Sequence, residues 1–227
     1  MTLIDYRTET LVEVVYKAIK KDITERALVP GQKLVIRELQ ERYGISETPI
    51  KQALNRLITE GLVENIPRRG MFVKQVTWKE IEELMDIRLM FESFYIPQII
   101  KTFHQNADIR AKMAANLDEH QRMIGNIRDL NEYFRNYYLD QEFHQLFIQC
   151  IGNARLAHIY NNLGTHIYAY YVYGRQPREG MIRGVQEHRD IFDALVAGDE
   201  VRLRECVRIH IENAKKNVFE MLHPNEV

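Results

Sequence analysis

The pattern of the chain changes near residue 76, and this change constrains the fold more than any other feature. Before it, short apolar runs alternate with turn signals such as Pro30-Gly31 and Pro67-Arg68-Arg69-Gly70. After it, apolar residues recur at helical spacing almost to the end of the chain. The whole chain holds only 11 Gly and 6 Pro, fewer than the usual frequencies of about 7% and 5% would give. The sequence therefore predicts a mainly α protein with two domains, 1–76 and 77–227.

Charge is divided along the same boundary. The first part holds 13 Lys and Arg against 10 Asp and Glu, and the second holds 18 against 22, so that the total is −1. This balance excludes a highly basic chromatin-type protein, and only the first domain has a basic excess. Two Cys give no disulfide framework. With no signal-peptide pattern and no run of 18 apolar residues, we expect a cytoplasmic protein without a membrane span.

The first domain has the element order of a winged helix-turn-helix. Apolar spacing predicts a first helix, and Gly44 is placed to end a second one. Ser46 is expected to cap a third helix, and two strands follow as a hairpin wing. The predicted helices cover about 8–27, 36–43 and 46–60, a short strand covers 33–35, and the hairpin strands cover 62–66 and 71–76.

The third helix carries the candidate DNA-contacting side chains at its start. Lys51 is able to donate to guanine or phosphate, Gln52 to pair with adenine, and Glu47 to accept from cytosine. Thr48 lies beside them, and Arg68 and Arg69 stand at the wing tip, where phosphates or the minor groove would lie. The alternative is that these residues only form a solvated surface, as most charged helical residues do.

A family resemblance favours DNA contact. Leu28-Val29-Pro30-Gly31-Gln32-Lys33-Leu34, Arg37-Glu38-Leu39 and the run from Tyr43 to Leu54 resemble the winged helix-turn-helix of GntR-family regulators. The resemblance implies DNA contacts from Arg37, Glu47, Thr48, Lys51 and the wing tip. Two positions depart from the family: Glu47 is commonly Arg there, and Lys51-Gln52 is commonly Arg-Glu. Since Lys lacks the planar fork of Arg, we expect a different operator or affinity.

The second domain is predicted to be an all-α six-helix bundle. Thr77 to Glu80 forms a capping box, and Pro97 is expected to kink the helix that follows. A bundle of this kind holds ligand sites in its interior. The predicted helices cover about 77–102, 107–127, 131–151, 154–174, 178–197 and 199–222.

Four side chains of this domain form a candidate metal site. Asp140 and His144 are four residues apart and share a helix face. His188 and His210 become level if the last two helices form a hairpin about Gly198. One Asp and three His suit Zn²⁺, Ni²⁺, Co²⁺ or Mn²⁺, although a single helical His is more often only exposed or hydrogen-bonded.

A second resemblance covers this domain. The segment from Asp140 to Leu146, together with Glu187-His188, Ala197-Gly198-Asp199 and His210, resembles the FCD effector domain of the FadR subfamily, and six helices suggest its VanR-like type. The resemblance implies that Asp140, His144, His188 and His210 are metal ligands. It also implies a small organic acid beside the metal, with Arg88 as the matched effector residue. His166, Tyr168 and Arg175 offer further polar groups.

These features predict a ligand-responsive repressor rather than an enzyme. We expect a homodimer on a near-palindromic operator, which a small carboxylate releases. Three alternatives to this role stay open. In the first, the metal ion itself is the signal, and in the second it is only structural. In the third, the protein is a hydrolase in which the metal activates water and Glu187 acts as general base.

Overall fold

The protein is described from a computed structural model, which covers residues 10–125, 127–164 and 176–222. The chain divides into two compact units between Val76 and Thr77. The mainly α fold class is confirmed. Among the described helices, none combines the length and apolarity needed to cross a membrane.

The first unit is a three-helix domain with a small antiparallel sheet. The strand order is β1-β3-β2, so the hairpin β2–β3 extends a sheet that begins with β1. Gly44 ends α2 in the left-handed conformation, with φ of 66°, which glycine adopts without steric cost. The elements are α1 (Leu11–Thr24), β1 (Lys33–Leu34), α2 (Ile36–Tyr43), α3 (Glu47–Thr59), β2 (Val63–Ile66) and β3 (Gly70–Val73).

Helix α3 buries one face and exposes the other. Its apolar residues Ile50, Ala53, Leu54 and Leu57 are fully buried, which fixes the helix against α1 and α2 and turns its polar residues outward. Ser46 occupies the N-cap position, but its side chain makes no capping hydrogen bond. The prediction of a side-chain cap there is wrong.

The second unit consists of helices within the described residues. The predicted capping box is present: Glu80 N–H donates to Thr77 Oγ1, and Thr77 N–H donates to Glu80 Oε2. Gly198 ends α9 in the left-handed conformation and lets α10 return along it as a hairpin. The helices are α4 (Trp78–Phe94), α5 (Ile96–Gln105), α6 (Ala107–Met123), α7 (Leu130–Gln149), α8 (Ala154–Asn161), α9 (Arg178–Ala197) and α10 (Glu200–Leu222).

The number of helices in this unit differs from the prediction. The single helix expected over 77–102 is divided at Tyr95, giving seven described helices rather than six. Pro97 is the cause, because its ring removes a donor and displaces the carbonyl four residues earlier. That carbonyl, of Ser93, instead accepts from Arg204 Nη1 at 2.9 Å. The count of six, on which the VanR-like type rested, therefore does not hold.

Candidate metal centre and nucleic-acid interface

Three histidines and one aspartate converge inside the second unit. His144 from α7, His188 from α9 and His210 from α10 are buried, and their Nε2 atoms lie 3.1 to 3.3 Å apart. Asp140 Oδ1 lies 3.5 Å from His188 Nε2 and is partly exposed. Each of the four residues therefore directs one ligand atom at a common centre, all within 4.8 Å of one another.

Two of these imidazoles bind a carboxylate through Nδ1, the ring nitrogen that does not face the common centre. Glu92 Oε2 lies 2.9 Å from His144 Nδ1, and Glu187 Oε2 lies 2.9 Å from His210 Nδ1. Because a carboxylate only accepts, each Nδ1 carries the hydrogen and each Nε2 presents a bare lone pair. This is the arrangement that commonly orients metal-ligating histidines.

His188 is held differently. Its ring stacks on Phe143 with the centroids 4.2 Å apart. Its Nδ1 is buried and has no hydrogen-bond partner among the described residues. Burial lowers the pKa of His188 well below its usual value, and repulsion between its protonated form and protonated His210 or His144 lowers it further. This imidazole is therefore neutral at neutral pH, as a metal ligand must be.

The convergence of three Nε2 atoms fits a divalent cation. The Nε2 atoms lie 3.1 to 3.3 Å apart, and their lone pairs repel each other unless a cation lies between them. Tetrahedral ligands at the usual Zn–N distance of about 2.0–2.1 Å are separated by about 3.3 Å, which matches the observed spacing. The residues present therefore fit a bound transition metal.

Glu92 is a site residue that the analysis of spacing did not identify. It is fully buried, and it accepts hydrogen bonds from Arg88 Nε and from Tyr160 OH in addition to His144. Burial raises its pKa, but the electrostatic interactions with His144 and the Arg88 guanidinium, together with the hydrogen bonds from His144 and Tyr160, hold the pKa far below its usual range. The spacing of Arg88 and Glu92, four apart on one helix, was the available signal. Nothing in the sequence pattern indicated Tyr160.

A cavity opens beside the four converging residues. Asp140, Glu187 and His210 contribute to its wall, and so does Arg88. Glu187 accepts from His210 Nδ1 with one oxygen and from Asn213 Nδ2 with the other, which supports a role in orienting His210 rather than the predicted role of general base. Of the predicted effector residues, only Arg88 is described. His166, Tyr168 and Arg175 lie outside the described residues.

The predicted DNA-contacting residues of the first unit are all exposed. Arg37 pairs with Glu41 at 3.1 Å, and Lys51 pairs with Glu47 at 2.5 Å. Exposed pairs of this kind contribute only about 0.3–0.5 kcal/mol, so phosphates or bases can displace them. The exposed set is Arg37, Glu47, Thr48, Lys51, Gln52, Arg68 and Arg69.

The wing tip carries a backbone strain that the sequence did not indicate. Arg68 has φ of 65°, a conformation that costs a non-glycine residue about 1–2 kcal/mol. Arg69 lies over the ring of Phe72 at 5.5 Å. Arg56, which follows the contact residues on α3, instead packs on Tyr16 and pairs with Glu13. It is a structural residue.

Comparison with protein families matches both units. Residues 11–73 match the model of "Bacterial regulatory proteins, gntR family". Residues 83–213 match the model of the FCD domain, which spans more than half of the chain. The predicted winged helix-turn-helix and the four converging residues lie within these two matches.

Individual relatives agree with these matches. The chain is 24% identical over 222 residues to the HTH-type transcriptional repressor RspR of Escherichia coli K12, covering 96% of this chain and 93% of that protein. The fold is similar to that of Lar of Listeria monocytogenes, with a TM-score of 0.70 and 18% identity over 94% of this chain and 99% of the other. A structure described as a metal-free FCD domain matches 66% of this chain and 99% of its own, with a TM-score of 0.50 and 18% identity.

Proposed function

We propose that this chain, which belongs to the gntR family of bacterial regulatory proteins and carries an FCD domain, is a repressor released from DNA by a small carboxylate. It is a DNA-binding transcription regulator, as the members of its family and its relatives are, and it is not an enzyme. The repressor role is supported by the name of RspR. In a bacterial cell, such a regulator would act in the cytoplasm.

Helix α3 and the wing would form the DNA surface. The start of α3 offers Lys51 and Gln52 for base edges, and the wing tip offers Arg68 and Arg69 for phosphates. The support is that these side chains are exposed while the opposite face of α3 is buried. With only a small basic excess in this unit, two copies on a near-palindromic site would be needed for useful affinity.

An apolar stripe on α4 would join the two copies. Ile87, Met90 and Phe94 lie on one face of the helix and are 38%, 58% and 71% exposed. The buried face of the same helix carries Arg88 and Glu92. A second copy of this chain is the occupant that a two-fold operator requires, and an isologous contact would bury the stripe against its own copy.

Asp140, His144, His188 and His210 would hold one divalent transition metal. The observation that carries this assignment is the closeness of three lone pairs that two carboxylates have oriented. Zn²⁺, Ni²⁺, Co²⁺ and Mn²⁺ all suit one carboxylate and three imidazoles. When bound, the metal would supply a positive centre, and an oxygen of the effector would add to the four protein ligands by expanding the coordination to five.

The effector would bind in the cavity beside this centre. Its carboxylate would face the metal and Arg88, since a guanidinium binds carboxylates strongly. Arg88 is buried and its Nε already donates to Glu92, so its orientation is fixed before the effector arrives. His166, Tyr168 and Arg175 stay predicted contributors. Effector binding would favour a dimer conformation with lower DNA affinity.

DNA binding tests the proposal directly. An operator is selected from random duplexes with the full-length, zinc-loaded protein, and fluorescence anisotropy measures its affinity. Lys51→Ala should weaken binding to the selected operator more than binding to random DNA. A panel of small carboxylates should include one that releases the operator, and a chelator should abolish that release. Release by chelator alone, with no carboxylate effect, would support the metal itself as the signal and contradict the proposal.

A further inference from the structure

One buried histidine lies beside the metal centre without belonging to it. His120 on α6 is 3% exposed, and its ring centroid lies 5.9 Å from that of His188. Its Nε2 lies 3.0 Å from Oδ1 of Asn136 on α7, which is also buried. Because an amide oxygen only accepts, Nε2 carries the hydrogen of this imidazole. Its Nδ1 is therefore an acceptor.

That acceptor is unpaired. His120 Nδ1 is buried and has no hydrogen-bond partner within the described part of the chain. A buried polar atom without a partner costs folding free energy, so such atoms are rare in folded proteins, and a bound water or ion is one of the explanations for them. His120 and Asn136 both line the cavity that Asp140, Arg88 and His210 also line. The residue that carries the unpaired acceptor therefore lines the same cavity as the proposed carboxylate site.

Glycines leave space in the same cavity. Gly180 and Gly184 on α9 are part of its wall. A Cβ at Gly184 would meet nothing within 4 Å. The cavity wall at Gly184 therefore leaves space that a side chain at that position would have filled.

We infer that the effector is a hydroxycarboxylate, whose hydroxyl donates to His120 Nδ1 while its carboxylate faces the metal and Arg88. This inference rests on the proposed function and adds the chemical class of the ligand. A hydroxyl fits better than an ammonium group. It brings one hydrogen for the one acceptor, whereas an ammonium group brings three and a charge to be buried. Asn136 acts as the positioning residue, because it sets which nitrogen of His120 accepts.

The test compares carboxylates that differ by one hydroxyl. Propanoate is paired with 2-hydroxypropanoate, butanoate with 3-hydroxybutanoate, and succinate with malate. Calorimetry measures each dissociation constant with the full-length, zinc-loaded protein. In at least one pair the hydroxy acid should bind about tenfold more tightly, the effect of one well-made hydrogen bond. Alanine, with an amino group in place of the hydroxyl of 2-hydroxypropanoate, should not share this gain.

Three variants distinguish His120 from the metal as the partner of the hydroxyl. His120→Leu should abolish the preference for the hydroxy acid, leave propanoate, butanoate and succinate binding as before, and retain full zinc content. His120→Phe keeps the ring shape and serves the same purpose if the Leu variant does not fold. His120→Gln retains an acceptor and should keep part of the preference. If the metal rather than His120 bound the hydroxyl, the preference for the hydroxy acid would persist in all three variants.

The outcomes also separate this inference from the proposed function. If carboxylates bind and no pair prefers its hydroxy member, the inference is wrong and the carboxylate-responsive function stands. If the preference persists in His120→Leu, or alanine gains as much as the hydroxy acid, the inference is again wrong. If no carboxylate of either kind binds, the effector proposal and the inference both fall.

Discussion

Replacing Glu187 should weaken metal binding without removing a ligand. Its Oε2 accepts from His210 Nδ1 at 2.9 Å, and its Oε1 accepts from Asn213 at 2.7 Å. The carboxylate fixes the tautomer of His210 and increases the basicity of Nε2, and loss of such a partner typically costs 10–100-fold in metal affinity. This corresponds to about 1.4–2.7 kcal/mol.

The two obvious substitutions should differ in size. Glu187→Gln keeps an oxygen that accepts from Nδ1 but removes the charge, so we expect about tenfold weaker binding. Glu187→Leu removes the acceptor as well, and we expect about 100-fold. Zinc affinity is measured by competition with a chromophoric chelator.

A charge-matched control is available on α10. Glu205 is exposed and pairs with Arg208, so Glu205→Gln changes the net charge of the chain equally without touching the centre. It should bind zinc as the parent does. If Glu187→Leu stays within twofold of the parent, Glu187 does not strengthen metal binding through His210. If Glu205→Gln loses as much as Glu187→Gln, net charge rather than orientation is the cause.

Three further predictions concern other parts of the molecule. Arg68→Gly should relieve backbone strain at the wing tip and leave the melting temperature unchanged or higher. The slope of log affinity for DNA against log salt concentration should become shallower by about 0.9 for each phosphate contact that is lost. An unchanged slope would exclude a phosphate contact by Arg68. Phe94→Asp should give monomers in analytical ultracentrifugation, and a persisting dimer would place the interface elsewhere. In the metal-free protein, the free energy of unfolding measured with urea should fall as the pH drops below about 6.5. Burial lowers the pKa of His188 and His144 in the folded protein, so the unfolded chain binds more protons in this pH range. The loss should reach up to about 1.4 kcal/mol per pH unit for each of the two histidines. His188→Leu should reduce this slope, and a flat profile would contradict the reasoning.

Local signals were enough to predict most of the fold. The bounds of α2 and α9 agree with the predicted ranges, because Gly44 and Gly198 are strong stops that need no tertiary information. The division at Tyr95 shows the limit. Pro97 indicated a disturbance, but whether the helix bends or breaks depends on what takes up the freed carbonyl. Arg204, more than 100 residues away, does so.

The candidate site could likewise be predicted only in part from the sequence. Spacing placed Asp140 with His144, and hairpin symmetry placed His188 level with His210, since both arguments need only helix geometry. The pairing of His120 with Asn136 depends on how α6 packs on α7. No periodicity encodes that contact. The convergence of the four residues could therefore be predicted from the sequence, whereas the unpaired His120 Nδ1 could not.

Glu92 ties three helices through a single side chain. It lies on α4, and its two oxygens receive hydrogens from His144 on α7 and Tyr160 on α8 as well as from Arg88. A rotation of His144 must therefore either carry α4 with it or break a buried charged contact. Helix α4 begins at Trp78, two residues after the last residue of the first unit. An angular change of one imidazole would thus be passed along α4, by covalent connection alone, to Val76, the last residue of the unit that carries the proposed DNA surface.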